Sequence, residues 1–262
     1  MATHEDCERL VNLINGTLPR LRPRTSLYGF LPMQGPKYQP RHGLMVVGRA
    51  IGNGGWGRDP KKPLDTETAT PGIVQSFVRD LYEWGKEDGN DEMRWINAQW
   101  GVSRTTETGE KNYNTATSAF WRVIRRVLIR VDRAACDDAD HWASHLVWTD
   151  LYKLSAHGNP TGRLESGQRD GCIRTLKAEL DEYAPSKVLF LTGLNWAEAF
   201  LDNIYHTASS WPLEPPLEAA GQIQLSNGAT SAFVVTPHPQ GKPETPIVER
   251  AVQAFDSIGA RD

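Results

Sequence analysis

The chain has 262 residues, 39% of them hydrophobic, with 29 basic and 32 acidic side chains and a formal net charge of -3. That length and apolar content suit one large α/β domain or two small ones, and a single domain over 1–262 is the reading taken. The nearly balanced charge excludes a global positive field that recruits polyanions, so any nucleic acid has to be held by a local patch.

Cys7, Cys136 and Cys172 are dispersed and form no CxxC, which argues against a disulfide framework or a zinc ribbon. No apolar run reaches the roughly 18 residues of a membrane span. His4, Glu5 and Asp6 stand where a secretory leader would be basic and then apolar. A soluble, cytoplasmic protein with no membrane partner is therefore expected.

In chain order, Thr3 and Asp6 form a capping-box pattern, and Leu10, Val11, Leu13 and Ile14 give the helix that follows an apolar face. Residues 1–43 read as this helix plus an irregular, proline-rich lead-in. The lead-in holds the densest basic patch, Arg20, Arg22, Arg24, Lys37 and Arg41, which is either a solvated loop or a phosphate-binding surface. Leu44–Val47, bounded by Gly43 and Gly48, has the unbroken apolar character of a central strand. Thr70 and Pro71 start a helix running to about Trp84. Residues 85–113 read as a polar, tryptophan-bearing insertion.

Phe120, Val123, Ile124, Val127, Leu128 and Val131 recur with helical spacing, interleaved with arginines that suit an amphipathic surface helix better than a phosphate track. Then come a strand at 145–149, a helix at 166–183, a strand at 187–191 and a helix at 195–203. A hairpin through Asn227-Gly228 joins 222–225 to the last core strand, 232–236, and a helix over 246–258 follows. This alternation predicts an α/β fold of three αβα layers around a central, mostly parallel sheet of about four strands.

In such sheets the residues past the carboxyl ends of parallel strands converge on one crevice. The first loop, Gly48-Arg49-Ala50-Ile51-Gly52-Asn53 and on to Trp56, is glycine-rich and lets the backbone approach a ligand, yet it fails the GxGxxG spacing. Asp150 falls at the second strand end, where a carboxylate accepts hydrogen bonds, activates water or caps a turn, with Tyr152 and Lys153 beside it. Pro237 and Pro239 fix the backbone around His238, whose imidazole suits a developing anion, and Gln240 and Lys242 follow. There is no GxSxG elbow, and HWASH at 141–145 lacks the glutamate of HExxH, so no metal is expected.

Three motifs in this order, Val46-Val47-Gly48-Arg49-Ala50, Thr149-Asp150-Leu151-Tyr152-Lys153 and Pro237-His238-Pro239-Gln240, resemble those of the uracil-DNA glycosylase superfamily. The likeness covers about 44–56 and 144–255, including Cys172–Leu180 and Lys187–Gly193. It implies a glycosylase-like fold and a nucleobase, nucleotide or nucleic-acid partner; no cofactor is expected. It also implies that His238 stabilises a departing base while Asp150 or Asn53 positions water.

The remaining candidate ligand contacts on this reading are Gly48, Arg49, Ala50, Gly52, Trp56, Tyr152, Lys153, Gln240 and Lys242. The chain departs from the pattern where Arg49, Ala50 and Ile51 stand in place of the usual water-activating acid or amide. It departs again where Asp150 replaces the base-reading asparagine, because an ionised carboxylate only accepts hydrogen bonds. The iron–sulfur cluster of some members needs four cysteines, and this chain has three dispersed ones. Gly241-Lys242-Pro243 supplies no bulky wedge for duplex DNA. A noncatalytic binder of a phosphate-bearing ligand and a purely structural role are the alternatives.

Overall fold

The computed structural model describes residues 2–51, 63–86, 91–103, 105, 113–156, 158–204, 206–208 and 213–259. Gly52, Asn53 and Trp56 fall outside the described residues. Helix α1 (His4–Thr17) opens with the expected capping box: Thr3 Oγ1 accepts from the Asp6 amide and the Asp6 carboxylate from the Thr3 amide. The chain then forms β1 (Ser26–Gly29), β2 (Met33–Gln34) and β3 (Leu44–Ala50), so two short strands stand where an irregular lead-in is expected. Strands of two to four residues bury too little for a periodicity to show in sequence.

Next come β4 (Leu64–Asp65), α2 (Pro71–Lys86), α3 (Arg94–Ala98), α4 (Ala119–Val131) and α5 (Arg133–Asp137). They are followed by β5 (Leu146–Tyr152), β6 (Leu154–Ser155), α6 (Gly162–Tyr183), β7 (Lys187–Phe190) and α7 (Leu194–Leu201). The described chain closes with β8 (His206–Ala208), β9 (Ala219–Gln224), β10 (Thr230–Val235) and α8 (Glu244–Gly259).

The main sheet has seven strands in the order β2-β5-β3-β7-β10-β9-β8, which corrects the expected count of about four. Its centre, β5-β3-β7-β10, is parallel throughout and consists of the four strands legible in sequence. The surplus is antiparallel: β2 on β5, β9 on β10 and β8 on β9. A small antiparallel sheet, β4-β1-β6, flanks it.

Alternation along the parallel strands divides the interior. Met45 and Val47 of β3, Val188 and Phe190 of β7, and Phe233 and Val235 of β10 face a core shared with α1, α2, α6 and α7. Leu44, Val46, Leu189 and Val234 face the opposite core, with α3, α4, α5 and α8. That second core is dense in aromatic rings. Trp121 lies edge-on to Trp148 at 5.0 Å and to Trp95 at 5.8 Å, and Phe30 meets Trp148 at 4.9 Å. Such contacts add to stability beyond the area they bury.

One ion pair is sealed inside the first core. Lys153 Nζ donates to Thr149 Oγ1 at 2.5 Å and to Glu179 Oε2 at 2.9 Å, and Thr149 Oγ1 donates to Glu179 Oε2 at 2.8 Å. Lys153 is 1% exposed and Glu179 is fully buried. Removing one member of such a pair leaves an uncompensated charge, whereas replacing both with apolar groups does not. Lys153→Met should lower unfolding free energy by about 3–5 kcal/mol in urea denaturation, and adding Glu179→Leu should restore most of it. A single variant as stable as the parent chain would contradict this account of the interior.

Candidate functional site

Parallel register creates the site. Gly48 of β3 pairs directly with Asp150 of β5, at the carboxyl ends of both strands. A Cβ at Gly48 would sit 2.1 Å from Asp150 Oδ1, so the carboxyl group occupies the space that any other side chain would fill. Here the glycine is required by close approach and not by a turn.

Asp150 is 2% exposed, and its Oδ2 has no hydrogen-bond partner among the described residues. Burial pushes its pKa up to about 7, Lys153 and the Trp148 indole pull it down, and Glu179 adds to the rise. Around neutrality much of the group is the protonated acid, which donates as well as accepts. The acceptor-only character of an ionised carboxylate therefore holds for only part of the population near neutrality.

The crevice over this carboxyl has a volume of about 350 Å³. It is lined by Gly48, Arg49 and Ala50 from β3, Trp148 and Asp150 from β5, Phe120 from α4, and Asn159, His238 and Gln240 from loops. His238 follows β10 in a segment anchored where the Gly193 amide donates to the Thr236 carbonyl at 2.9 Å. Its ring stacks on Phe120, centroids 6.0 Å apart and planes 16° apart. The Gln240 amide donates to His238 Nδ1 at 3.3 Å. An Nδ1 that accepts carries no proton, which leaves Nε2–H as the donor of a neutral imidazole. Burial, followed by the charge of Arg49, pulls the His238 pKa down to about 4.

Arg49 is held at the rim of the crevice by protein contacts. Its Nε donates to the Thr192 carbonyl at 2.6 Å, and its guanidinium lies 5.4 Å from the centroid of the Trp196 ring. Burial lowers its pKa and the Glu218 charge opposes that. Glu218 in turn accepts from the Leu194 amide at 2.5 Å. The cation is thus presented in a fixed position, partly balanced by a neighbouring acid.

The structure therefore brings together Gly48, Arg49, Ala50, Asp150, His238 and Gln240 from distant parts of the sequence. It separates three others. Tyr152 packs edge-on against Trp196 and Phe200, and its hydroxyl meets Glu165 and Arg169 of α6. Lys153 is the buried partner of Glu179, and its ammonium group is satisfied away from the crevice. Lys242 is exposed in the turn that its amide closes onto the Pro239 carbonyl, outside the crevice lining. Gly52, Asn53 and Trp56 lie outside the described residues.

Sequence reading missed two walls. Phe120 looks like one more apolar residue of the amphipathic α4. Trp148 carries a signal that was available, since it lies two residues before Asp150 and strand alternation puts the two on one face. His141 and His145 of the HWASH segment both meet the Asp138 carboxylate, at 3.3 and 3.0 Å, and that carboxylate also pairs with Lys37. Among the described residues, no group of three or more His, Cys, Asp or Glu side chains is placed to hold a metal. No described helix is long and apolar enough to cross a membrane.

No protein-family model matches the sequence, and no curated protein matches it.

The raised Asp150 pKa has a signed consequence. Its folded value lies above the ordinary 3.8, so folding favours the protonated form, and the associated stability is present below about pH 4 and lost as pH rises through about 7. Asp150→Asn removes that titration. The stability of Asp150→Asn relative to the parent chain should rise between about pH 4 and 7 and then level off, a change on the order of 4 kcal/mol. Chemical denaturation across that range checks it, and a flat difference would show that the carboxyl titrates normally.

Proposed function

We propose that the crevice binds a nucleobase carried on a sugar and hydrolyses the N-glycosidic bond between them, within a divergent glycosylase-like fold. The observation that carries this reading is the Asp150 Oδ2 atom, buried without a hydrogen-bond partner among the described residues, in a crevice lined also by Phe120, Trp148 and His238. A flat heteroaromatic ring with both donors and acceptors on its edge satisfies such a lining. It supplies a partner for the orphan oxygen and presents faces for aromatic contact. The order of the strand-end motifs, and their convergence on one crevice, support the resemblance to the uracil-DNA glycosylase superfamily.

In this mechanism protonated Asp150 donates to a ring carbonyl and accepts from the adjacent ring N–H, as a side-chain amide would. The bond between C1′ and the base nitrogen breaks with its electron pair leaving on the base. The His238 Nε2–H, already neutral, donates to the anion that develops, and Arg49 adds its field from the rim. Water adds to C1′, and its proton ends on the base. The neutral imidazole serves this step as a fixed Nε2–H donor, its Nδ1 being occupied by the Gln240 amide.

A noncatalytic binder is the second reading, favoured by Arg49 and Ala50 standing where a water-activating acid or amide is expected after Gly48.

Release of base from oligonucleotides carrying uracil, hypoxanthine or xanthine tests the choice. His238→Ala should reduce the rate by about 10²–10³. The parent rate should fall as pH rises through about 7 while Asp150→Asn stays active above it. Turnover by the parent that His238→Ala leaves unchanged would sink the mechanism, and no release from folded parent protein would favour the binder.

A further inference from the structure

The basic patch of the lead-in is sorted by the fold. Arg24 pairs with Glu67 at 3.0 Å and Lys37 with Asp138 at 2.5 Å, so two of its five cations are neutralised. Three of the four arginines of α4 are also engaged: Arg122 and Arg126 meet Glu244, and Arg125 covers the Trp100 ring. Arg20 and Arg22 make no ion pair with a described residue, and neither do Arg163 and Arg174 of α6. All four are exposed.

These four line two adjoining hollows that begin at the crevice. Asn159 belongs both to the crevice and to a groove of about 610 Å³ whose charged lining residues are Arg22 and Arg163. Thr161 lines that groove as well, as does Thr25, whose hydroxyl donates to the Arg22 carbonyl at 3.0 Å, and among the described residues no acidic side chain lines it. The chain from Leu21 back to Arg20 leads into the next hollow, about 500 Å³ between α1 and α6. There Arg20 lies across Gly167, its Cδ 3.5 Å from where a Cβ would stand, and Arg174 lines the same space with Asp170 as its acid.

From this we infer that the groove between residues 21–25 and 159–164 carries the phosphodiester backbone of a nucleic-acid strand whose base enters the crevice. The inference rests on the proposed reading of the crevice and names the polymer for it. Arg163 and Arg174 are eleven residues apart on α6, about 16 Å along the helix axis. One mononucleotide does not reach both the crevice and the far arginines, whereas a strand offers a phosphate to each. Exposed arginines spread along a groove are the chemistry of backbone contact, which positions a strand without reading its sequence.

Fluorescence anisotropy of a labelled single-stranded oligothymidine, titrated over a range of salt, tests the groove separately from the chemistry. Arg22→Ala with Arg163→Ala should weaken binding and make the slope of log K against log salt shallower by about 1.4, the contribution of two phosphates on a single strand. Arg22→Lys with Arg163→Lys should keep the slope, which excludes lost packing as the cause. An unchanged slope in the alanine variant, or no salt-dependent binding by the parent, overturns the groove even if the parent releases base from nucleosides. Arginine-dependent binding to phosphatidylserine vesicles without oligonucleotide binding also overturns it. The shallower slope in a protein that releases no base supports the groove and removes only the hydrolytic reading.

Discussion

The site depends on one contact, the Asp150 carboxyl seated against Gly48 across the β3–β5 pair. Parallel register sets these residues side by side, and the absence of a side chain at Gly48 lets the acid lie down over the strand instead of pointing into water. Burial follows from that position. The shifted pKa and the unpartnered oxygen follow from burial. A larger residue at position 48 would displace the acid, and with it the floor of the crevice.

Burial then acts on two groups in opposite directions. It favours the neutral form of each, so Asp150 rises toward about 7 while His238 falls toward about 4. Near neutrality the crevice presents an acid that is protonated in a substantial fraction of molecules and an uncharged imidazole, with the Arg49 cation at its rim. Each group is fixed by a different contact: Asp150 by Gly48, His238 by Phe120 and the Gln240 amide, Arg49 by the Thr192 carbonyl and Trp196. Preorganised donors of this kind need little rearrangement when negative charge develops on a bound ring.

The parallel centre of the fold was legible because its four strands are apolar runs bounded by turn residues, and a strand buried on both faces can hardly read otherwise. The antiparallel edges were not legible, since Met33–Gln34 and His206–Ala208 are too short to show a period. Strand-end position brings Gly48, Asp150 and His238 into one crevice. It does not bring Tyr152 and Lys153 there, because adjacency in sequence does not say that Glu179 waits inside the core for an ammonium group. The protonation state of Asp150 was also hidden, as it depends on burial that only the packed β3–β5 pair creates. Likewise, the basic lead-in looks uniform in sequence, and only tertiary pairing with Glu67 and Asp138 separates its satisfied cations from the free ones.

The central claim is that a neutral Asp150 holds a base in this crevice. The most direct measurement is calorimetric binding of free uracil and hypoxanthine to the parent chain and to Asp150→Ala, at about pH 6 and about pH 8, on either side of the carboxyl midpoint. The account predicts binding by the parent that weakens at the higher pH and is lost in the alanine variant. Binding that is equal at both pH values, or equal in Asp150→Ala, would contradict it.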